Sequence, residues 1–240
     1  MTEGAMKVLV INASPRPERS NTMNITRAFI KGFPENTEVE YVTLNKLDIK
    51  PCLGCYSCWD KTPGKCVIKD DMQQLHEKIR EADVIVQSFP LYFFGMPSPL
   101  KCMTDRCLPL TLPYLGNVVE DENASFHELR DETMHKKSLV VISTCGYVDA
   151  AHMYKALVKQ YDLIAGVGKY TAIFCPEGEL FVTDNAKRQR EGYLSDVTAA
   201  GAEFAQNRTL SDETKKRLSK PILSPKGFEA ITLAHWAQFR

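Results

Sequence analysis

Short apolar runs alternate along this chain with longer segments in which apolar residues recur every three or four positions. Short apolar runs are typical of buried parallel strands, and the periodic segments are typical of amphipathic helices. The runs predict strands at residues 6–11, 84–89, 139–144 and 170–175, and a weak alternation of apolar and polar residues predicts a further strand at 39–44. The periodic segments predict helices over 22–31, from 70 onwards, over 97–106, after Asp149, over 186–204 and over 211–219. This alternation indicates an α/β fold, a doubly wound five-stranded parallel sheet with helices on both faces.

Polar residues mark the expected beginnings of two of these helices. Asn21 or Thr22 is expected to cap the first helix, because such side-chain oxygens accept hydrogen bonds from the first helical turn. The helix that begins at residues 70–71 has Gln73 and Gln74 at positions suited to capping-box contacts.

Two segments stand outside the alternation. Residues 107–137 contain several prolines and a charged stretch, and a loop of this length is usually functional or partly helical. The C-terminal residues carry large apolar side chains, such as Phe228 and Trp236, and are too apolar for a free tail. We therefore expect one domain over residues 1–206 and an extension over 207–240 that packs on the domain or on a second subunit.

The composition excludes some classes of function. Apolar residues make up 44% and charged residues 25% of the 240 residues, which is ordinary for a soluble globular protein. The 30 basic residues balance the 30 acidic ones, so nothing favours a nucleic-acid or anionic membrane partner. The chain lacks an apolar run of membrane-spanning length and a signal-type N-terminus, so we expect a cytoplasmic protein. Its eight cysteines are then expected to be thiols or metal ligands rather than disulfides.

The first predicted strand leads into a polar loop at the start of the first helix. The loop offers hydroxyl, amide and guanidinium groups from Ser14, Arg16, Ser20, Asn21 and Thr22. Unpaired N–H groups at a helix N-terminus bind phosphate, and ligands of this fold class bind beyond the carboxyl ends of the strands. Neither the Walker pattern nor Gly-x-Gly-x-x-Gly is present. A phosphate site is the favoured interpretation, and an ordinary polar turn is the alternative.

Two further loops follow the third and fourth strands. Aromatic residues are unusual at a strand end unless they cover a flat apolar group, and glycines let a ring approach the backbone closely. The first loop contains Pro90, Leu91, Tyr92, Phe93, Phe94 and Gly95, and the second contains Thr144, Cys145, Gly146 and Tyr147. These loops indicate a site for a planar ring. The alternative is that the aromatic side chains only pack under the neighbouring helix.

A compact run of cysteines lies between the second strand and the second helix. It consists of Cys52, Cys55, Cys58 and Cys66. Closely repeated C-x2-C spacing suits an iron–sulfur cluster, whereas zinc sites more often use two separated knuckles. The alternative is a loop of free thiols that form redox-sensitive disulfides. The other four cysteines lack such spacing and are expected to be buried structural thiols.

The three strand-end loops resemble the FMN-binding loops of the flavodoxin-like NAD(P)H-dependent FMN reductase superfamily, in the same order. The resemblance covers about residues 6–175. It implies that the loop at 14–22 holds the FMN phosphate and that the loops at 90–95 and 144–147 hold the isoalloxazine ring. Within this superfamily the cysteine run resembles that of the iron–sulfur flavoproteins, where such a loop holds a [4Fe-4S] cluster beside FMN. Many relatives carry a similar cysteine-rich loop without an established cluster.

The resemblance implies an FMN-dependent oxidoreductase that takes electrons from NAD(P)H or a reduced carrier. The acceptor would be a flavin, quinone, azo or nitro compound, and with a cluster the partner could be a ferredoxin-like carrier. Relatives of this type are homodimers or homotetramers with flavin sites near their interfaces, and residues 107–137 would shape the acceptor pocket or an interface. Because the flavin carries the hydride chemistry, no catalytic side chain is assigned.

Two other classes of function are weighed against this one. A non-enzymatic redox sensor or electron-transfer protein would bind FMN with negligible turnover of NADH or NADPH. A receiver-like signalling domain would need carboxylates at the ends of the first and third strands, where this chain has residues 12–14 (Asn-Ala-Ser) and 88–90 (Ser-Phe-Pro). The receiver interpretation is therefore set aside. The histidines do not cluster, and His76 and His152 are expected at the surface.

Overall fold

Five parallel strands form the centre of the computed structural model, which describes residues 5–113, 127–182 and 186–238. They are β1 (Lys7–Asn12), β2 (Glu38–Thr43), β3 (Val84–Pro90), β4 (Ser138–Thr144) and β5 (Tyr170–Cys175). The strand order β2-β1-β3-β4-β5 is that of the flavodoxin-like doubly wound sheet. The predicted fold class is confirmed.

Helices cover both faces of this sheet. They are α1 (Asn21–Lys31), α2 (Met72–Glu81), α3 (Ser98–Asp105), α4 (Ala150–Met153), α5 (Lys155–Ala165), α6 (Lys187–Asn207), α7 (Asp212–Leu218) and α8 (Pro225–Ala237). The predicted single helix after Asp149 is divided at Tyr154 into α4 and α5. None of the helices in the described ranges is long and apolar enough to cross a membrane.

The alternating side chains of the strands separate two apolar cores. On one face, α2, α3 and α5 pack against strand residues such as Leu9 and Val141. On the other face, α1 and α6 pack against Val10 and Val86. Strands buried on both faces explain the nearly continuous apolar runs of the sequence.

Helices α1 and α6 approach each other unusually closely. A Cβ atom at Gly201 would overlap the carbonyl oxygen of Phe29, and one at Gly32 would overlap the carbonyl oxygen of Thr198. Beside this crossing, the rings of Phe29 and Phe204 lie 5.5 Å apart between centroids. The glycines therefore bring α1, and the loop that precedes it, to a fixed position on the sheet.

The structure corrects two predicted helix caps. The cap of α1 is Ser20, whose Oγ accepts from the Met23 N–H at 3.2 Å, and not Asn21 or Thr22. The capping box predicted for Gln73 and Gln74 is wrong, since α2 begins at Met72 without a side-chain cap. Both carboxylates at 70–71 accept hydrogen bonds from the connection that carries the cysteines, and Asp70 Oδ1 also accepts from Met72 N–H at the start of α2. The cap at Asp149 is confirmed, with Oδ1 accepting from His152 N–H at 3.0 Å.

The segment after α6 is tied to the domain by a buried carboxylate. Glu177 Oε2 accepts from the N–H groups of Ile222 and Leu223 at 2.6 and 2.8 Å. Burial raises the pKa of Glu177, although these two hydrogen bonds act in the opposite direction. Along α8, Phe228 is buried, whereas 60% of Leu233 is exposed. The division into 1–206 and 207–240 stays a prediction.

The irregular segment predicted over 107–137 is described at its two ends. Leu112 N–H donates to the carbonyl oxygen of Glu128 at 2.8 Å, so the two ends run side by side. Residues 114–126 lie outside the described residues, and the predicted role of this segment stays a prediction.

Candidate functional site

The ends of β1, β3 and β4 lie side by side and bring the three predicted loops together. Asn12 is in register with Ser88, and Pro90 is in register with Thr144. The loops are also joined beyond the strands, since Leu91 N–H donates to the Thr144 carbonyl oxygen at 2.8 Å. The polar loop at 14–22, the aromatic loop at 90–95 and the loop at 144–147 therefore form one edge of the sheet.

The polar loop is ordered by its own side chains. Ser14 N–H donates to Asn12 Oδ1 at 3.0 Å, and Ser20 caps α1. Arg16 is exposed, while the side-chain oxygen of Asn21 is buried and has no hydrogen-bond partner in the described part of the chain. The loop thus presents a helix N-terminus, a cation and an amide with an unused acceptor at the same place.

Buried hydroxyl groups connect the polar loop with the strands behind it. Thr22 Oγ1 and Thr144 Oγ1 share a hydrogen bond of 2.6 Å, which joins the first loop to the third. One turn further along α1, Thr26 Oγ1 donates to Ser88 Oγ at 2.8 Å. All four side chains are buried, so these bonds are shielded from water. They hold the beginning of α1 at a fixed distance from β3 and β4.

The aromatic loop contains a tight turn in an unfavourable backbone conformation. Tyr92 and Gly95 exchange two backbone hydrogen bonds of 3.1 and 2.9 Å, and Phe93 and Phe94 between them have φ angles of 47° and 64°. This is the pattern of a type I′ turn, which Asn and Gly adopt far more readily than phenylalanine. The Phe93 side chain lies at the tip of this turn and is fully exposed, so it does not pack under the neighbouring helix.

The third loop lies directly against the second. The rings of Phe94 and Tyr147 are stacked, with centroids 6.4 Å apart and planes at 22°. Gly146 leaves room for Glu179, whose carboxylate occupies the space that a Cβ at 146 would need. Cys145 is buried, and burial raises the pKa of its thiol. The two loops together present exposed aromatic side chains around a backbone that a flat group can approach.

The four cysteines of the predicted cluster line one small pocket, which is partly open to solvent. Cys58 is buried and Cys55 is exposed, while Cys52 and Cys66 are intermediate, and all four thiols are free. The loop reaches this arrangement through left-handed backbone at Gly54, Tyr56 and Gly64. Among the described residues, no three Cys, His, Asp or Glu side chains form a preformed site for a single metal ion.

The thiols of this pocket influence one another. Burial, and after it the nearby Cys66, raises the pKa of Cys58, with smaller effects from Cys55 and Cys52. The exposed Cys55 has a lowered pKa, because the side chain and backbone of Ser57 hydrogen-bond to its sulfur. Four sulfur atoms on one short loop therefore share one electrostatic environment.

One member of a fully buried ion pair, Arg106, forms part of the pocket wall. Arg106 lines the pocket, and its guanidinium binds Asp70 through two hydrogen bonds of 2.7 and 2.9 Å. Both side chains are fully buried. The aromatic loop and this pocket lie at opposite ends of α3, a helix of eight residues and therefore roughly 12 Å long.

A comparison with known proteins identifies the family of this chain. Residues 6–174 match the family described as having a flavodoxin-like fold. The chain belongs to this family. An iron–sulfur flavoprotein of Methanocaldococcus jannaschii is 38% identical over 109 residues, which are 45% of this chain and 55% of that protein. The chain spans about half the length of the iron–sulfur flavoproteins that it matches.

Solved structures of low identity share the same flavodoxin-like fold. The NAD(P)H:quinone oxidoreductase from Methanothermobacter marburgensis has a TM-score of 0.58 at 19% identity, over 83% of this chain and 96% of that chain. An FMN-dependent NADH-azoreductase from Bacillus anthracis, solved in complex with FMN, has a TM-score of 0.53 at 18% identity, over 83% of this chain and 99% of that chain. At these identities the likeness shows the fold alone.

Several residues of this flavodoxin-like site escaped the sequence analysis. Asn45, which follows β2, donates from Nδ2 to the Ser14 carbonyl oxygen at 3.2 Å. Glu177 and Glu179, after β5, contact the third loop. All three follow a strand, so the rule that sites lie beyond strand ends could have indicated them. Their residue types alone gave no signal.

The prediction that His76 lies at the surface is wrong. His76 is buried, and its Nε2 hydrogen-bonds to the carbonyl oxygen of Arg106 at 2.8 Å. Burial lowers the pKa of this imidazole. It occupies the buried face of α2 and supports the chain at Arg106. His152 is exposed, as predicted.

Proposed function

We propose that this protein is an FMN-dependent oxidoreductase. It takes electrons from NAD(P)H or a reduced carrier and passes them to a small acceptor, such as a flavin, quinone, azo or nitro compound. The observation that carries the proposal is the convergence of the three loops at the carboxyl edge of the sheet. When bound, FMN supplies the hydride and electron chemistry, so the protein has only to hold it and leave one ring face accessible.

The polar loop suits the phosphate end of FMN. Free N–H groups at the start of α1 and the charge of Arg16 attract a phosphate, and the hydroxyls of Ser14, Ser20 and Thr22 complete its surroundings. The unused oxygen of Asn21 is an acceptor, as a ribityl hydroxyl requires. A buried polar atom without a partner costs free energy, so a ligand that satisfies it binds more tightly.

The other two loops suit the flat end of the cofactor. Backbone at Pro90, Leu91 and Gly95 can approach a ring, and Tyr92, Phe93, Phe94 and Tyr147 offer apolar surface for stacking. The exposed phenylalanines in a strained turn are costly in water and are explained if a ring covers them. The name of the Methanocaldococcus relative, a flavoprotein, and the FMN in the azoreductase of the same fold support this assignment.

We further propose that Cys52, Cys55, Cys58 and Cys66 hold a [4Fe-4S] cluster, which supplies one-electron chemistry when bound. The support is their common pocket and the iron–sulfur flavoproteins among the relatives. Exposed Cys55 marks the side from which a ferredoxin-like carrier would approach. The exposed apolar residues of α8 support a homodimer or homotetramer.

Two matched substitutions on one helix test FMN binding. Thr22→Val removes a hydroxyl at the proposed phosphate site, and Thr26→Val removes one a single turn away that contacts Ser88 instead. We expect Thr22→Val to weaken FMN binding about tenfold or more, the loss of a hydrogen bond to a charged group, and Thr26→Val to leave it within about twofold. Quenching of flavin fluorescence measures both.

The same titration distinguishes the alternatives. A wild-type chain that does not bind FMN, or two variants that lose affinity equally, would contradict the assignment. Anaerobic oxidation of NADH and NADPH by the FMN-loaded protein, with a quinone as acceptor, then separates an enzyme from a sensor. Turnover supports the enzyme, and bound FMN without turnover supports the sensor.

A further inference from the structure

Hydrogen bonds to neighbouring backbone fix the ion pair between Arg106 and Asp70 in place. Arg106 Nη1 donates to the carbonyl oxygen of Lys50 at 2.6 Å, and Asp70 Oδ2 accepts from the Lys50 N–H at 2.9 Å. Lys50 stands two residues before Cys52, so the pair fixes the start of the cysteine loop. His76 supports the Arg106 carbonyl from the opposite side. The guanidinium therefore has one position relative to the four thiols.

One nitrogen of this guanidinium has no hydrogen-bond partner in the described part of the chain, whereas Nη1 and Nη2 both donate. This nitrogen is Nε, and it is buried. Asp105 lines the cysteine pocket and pairs with Lys101. Arg106 also lines the pocket, whereas Asp70 does not. The positive end of the pair is therefore the end that faces the sulfur atoms.

Both members of the pair are charged. Burial alone would lower the pKa of Arg106, but Asp70 and the neighbouring Cys66 outweigh burial and raise it. Burial alone would raise the pKa of Asp70, but its hydrogen bonds to Arg106, Lys50 and Met72 lower it. A buried ion pair contributes little net stability, because desolvating the two charges offsets their attraction. Its position beside four thiols suggests a further role.

We propose that Arg106 is a positioning residue that donates its Nε–H to a sulfur of the four-cysteine pocket and raises the reduction potential of the group held there. This rests on the proposed cluster. Reduction adds one negative charge to the pocket, and a fixed cation at its wall stabilises that charge. Asp70 opposes the effect from a greater distance and limits its size.

The proposal predicts opposite effects for the two members of the pair. Arg106→Gln leaves the buried Asp70 carboxylate without its positive partner, and it lowers the midpoint potential of the iron–sulfur group. Asp70→Asn leaves the guanidinium without its negative partner, and it raises this midpoint potential. The double variant Arg106→Gln/Asp70→Asn loses the nearer charge and the farther one, so its potential lies between those of Arg106→Gln and the wild type. If the ion pair only anchored Lys50, both single variants would shift the midpoint potential in the same direction.

The experiment is a redox titration of anaerobically reconstituted protein, followed by visible absorption, with iron determined per chain. Arg27→Gln is the control, since it removes an equal charge from α1 on the opposite face of the sheet and should leave the potential unchanged. Should the single variants fail to fold, the double variant decides: a lowered potential supports the proposal. Equal potentials in wild type and double variant overturn it. A wild type that binds no iron overturns the cluster itself, which is a separate result.

Discussion

Single residues of this chain adopt conformations that their residue types disfavour, and two of them lie at the proposed flavin site. Left-handed backbone costs an L-residue roughly 1–2 kcal/mol, and Phe93 and Phe94 both adopt it in succession. The Phe93 side chain gains little in return within the chain, since it is fully exposed, whereas Phe94 stacks on Tyr147. Strain that persists at such a position is typical of functional sites.

Replacing the two phenylalanines by the residues that a type I′ turn favours separates strain from function. We expect Phe93→Asn/Phe94→Gly to raise the unfolding free energy of the FMN-free protein by about 1 kcal/mol or more, because the turn is relieved. The same variant should bind FMN more weakly, since it lacks two ring-contacting side chains. Urea denaturation and flavin fluorescence measure the two effects.

A left-handed residue elsewhere provides the control for this variant. Arg208 ends α6 with φ of 58°, far along the chain from the loops, and Arg208→Gly relieves it. This change should raise stability by up to about 1 kcal/mol and leave FMN affinity unaltered. Unchanged FMN affinity in the Phe93/Phe94 variant would refute the ring contact.

At the scale of elements, the close crossing of α1 and α6 holds the polar loop at 14–22, the proposed phosphate site, in place. Gly201→Ala is expected to lower the unfolding free energy by about 1–3 kcal/mol, because the added methyl meets the backbone of α1. The methyl group added by Gly192→Ala on the same helix has no atom within 4 Å, so this change should raise the unfolding free energy by about 0.5–1 kcal/mol. Chemical denaturation compares the two, and an equal effect of both would contradict the packing described.

The elements could be predicted wherever a local pattern determines them. Apolar runs located four of the strands, a weak alternation over 39–44 located β2, and the position of each loop after a strand indicated which residues come together. The sequence alone could not identify the residue that caps α1, because Ser20, Asn21 and Thr22 are all good caps. Only the backbone conformation shows that Ser20 is the residue before the helix. The burial of His76 and the use of Asp70 depend on Arg106, more than 25 residues away, which no local pattern reveals.

At the scale of the whole molecule, two sites of different chemistry lie at the two ends of α3. One is an edge of three loops that suits FMN, and the other is a pocket of four thiols with a buried cation in its wall. A helix of roughly 12 Å separates them. This arrangement is consistent with electrons passing between a two-electron and a one-electron centre within one chain.

The most direct test of the central claim is the visible absorption spectrum of protein purified without oxygen and supplied with FMN, with iron and sulfide analysis on the same sample. We predict flavin bands from tightly bound FMN, together with a broad iron–sulfur shoulder and about four irons per chain. Flavin bands without iron would refute the cluster and leave the flavin site. Protein that retains no flavin after FMN is added would contradict the account of this site.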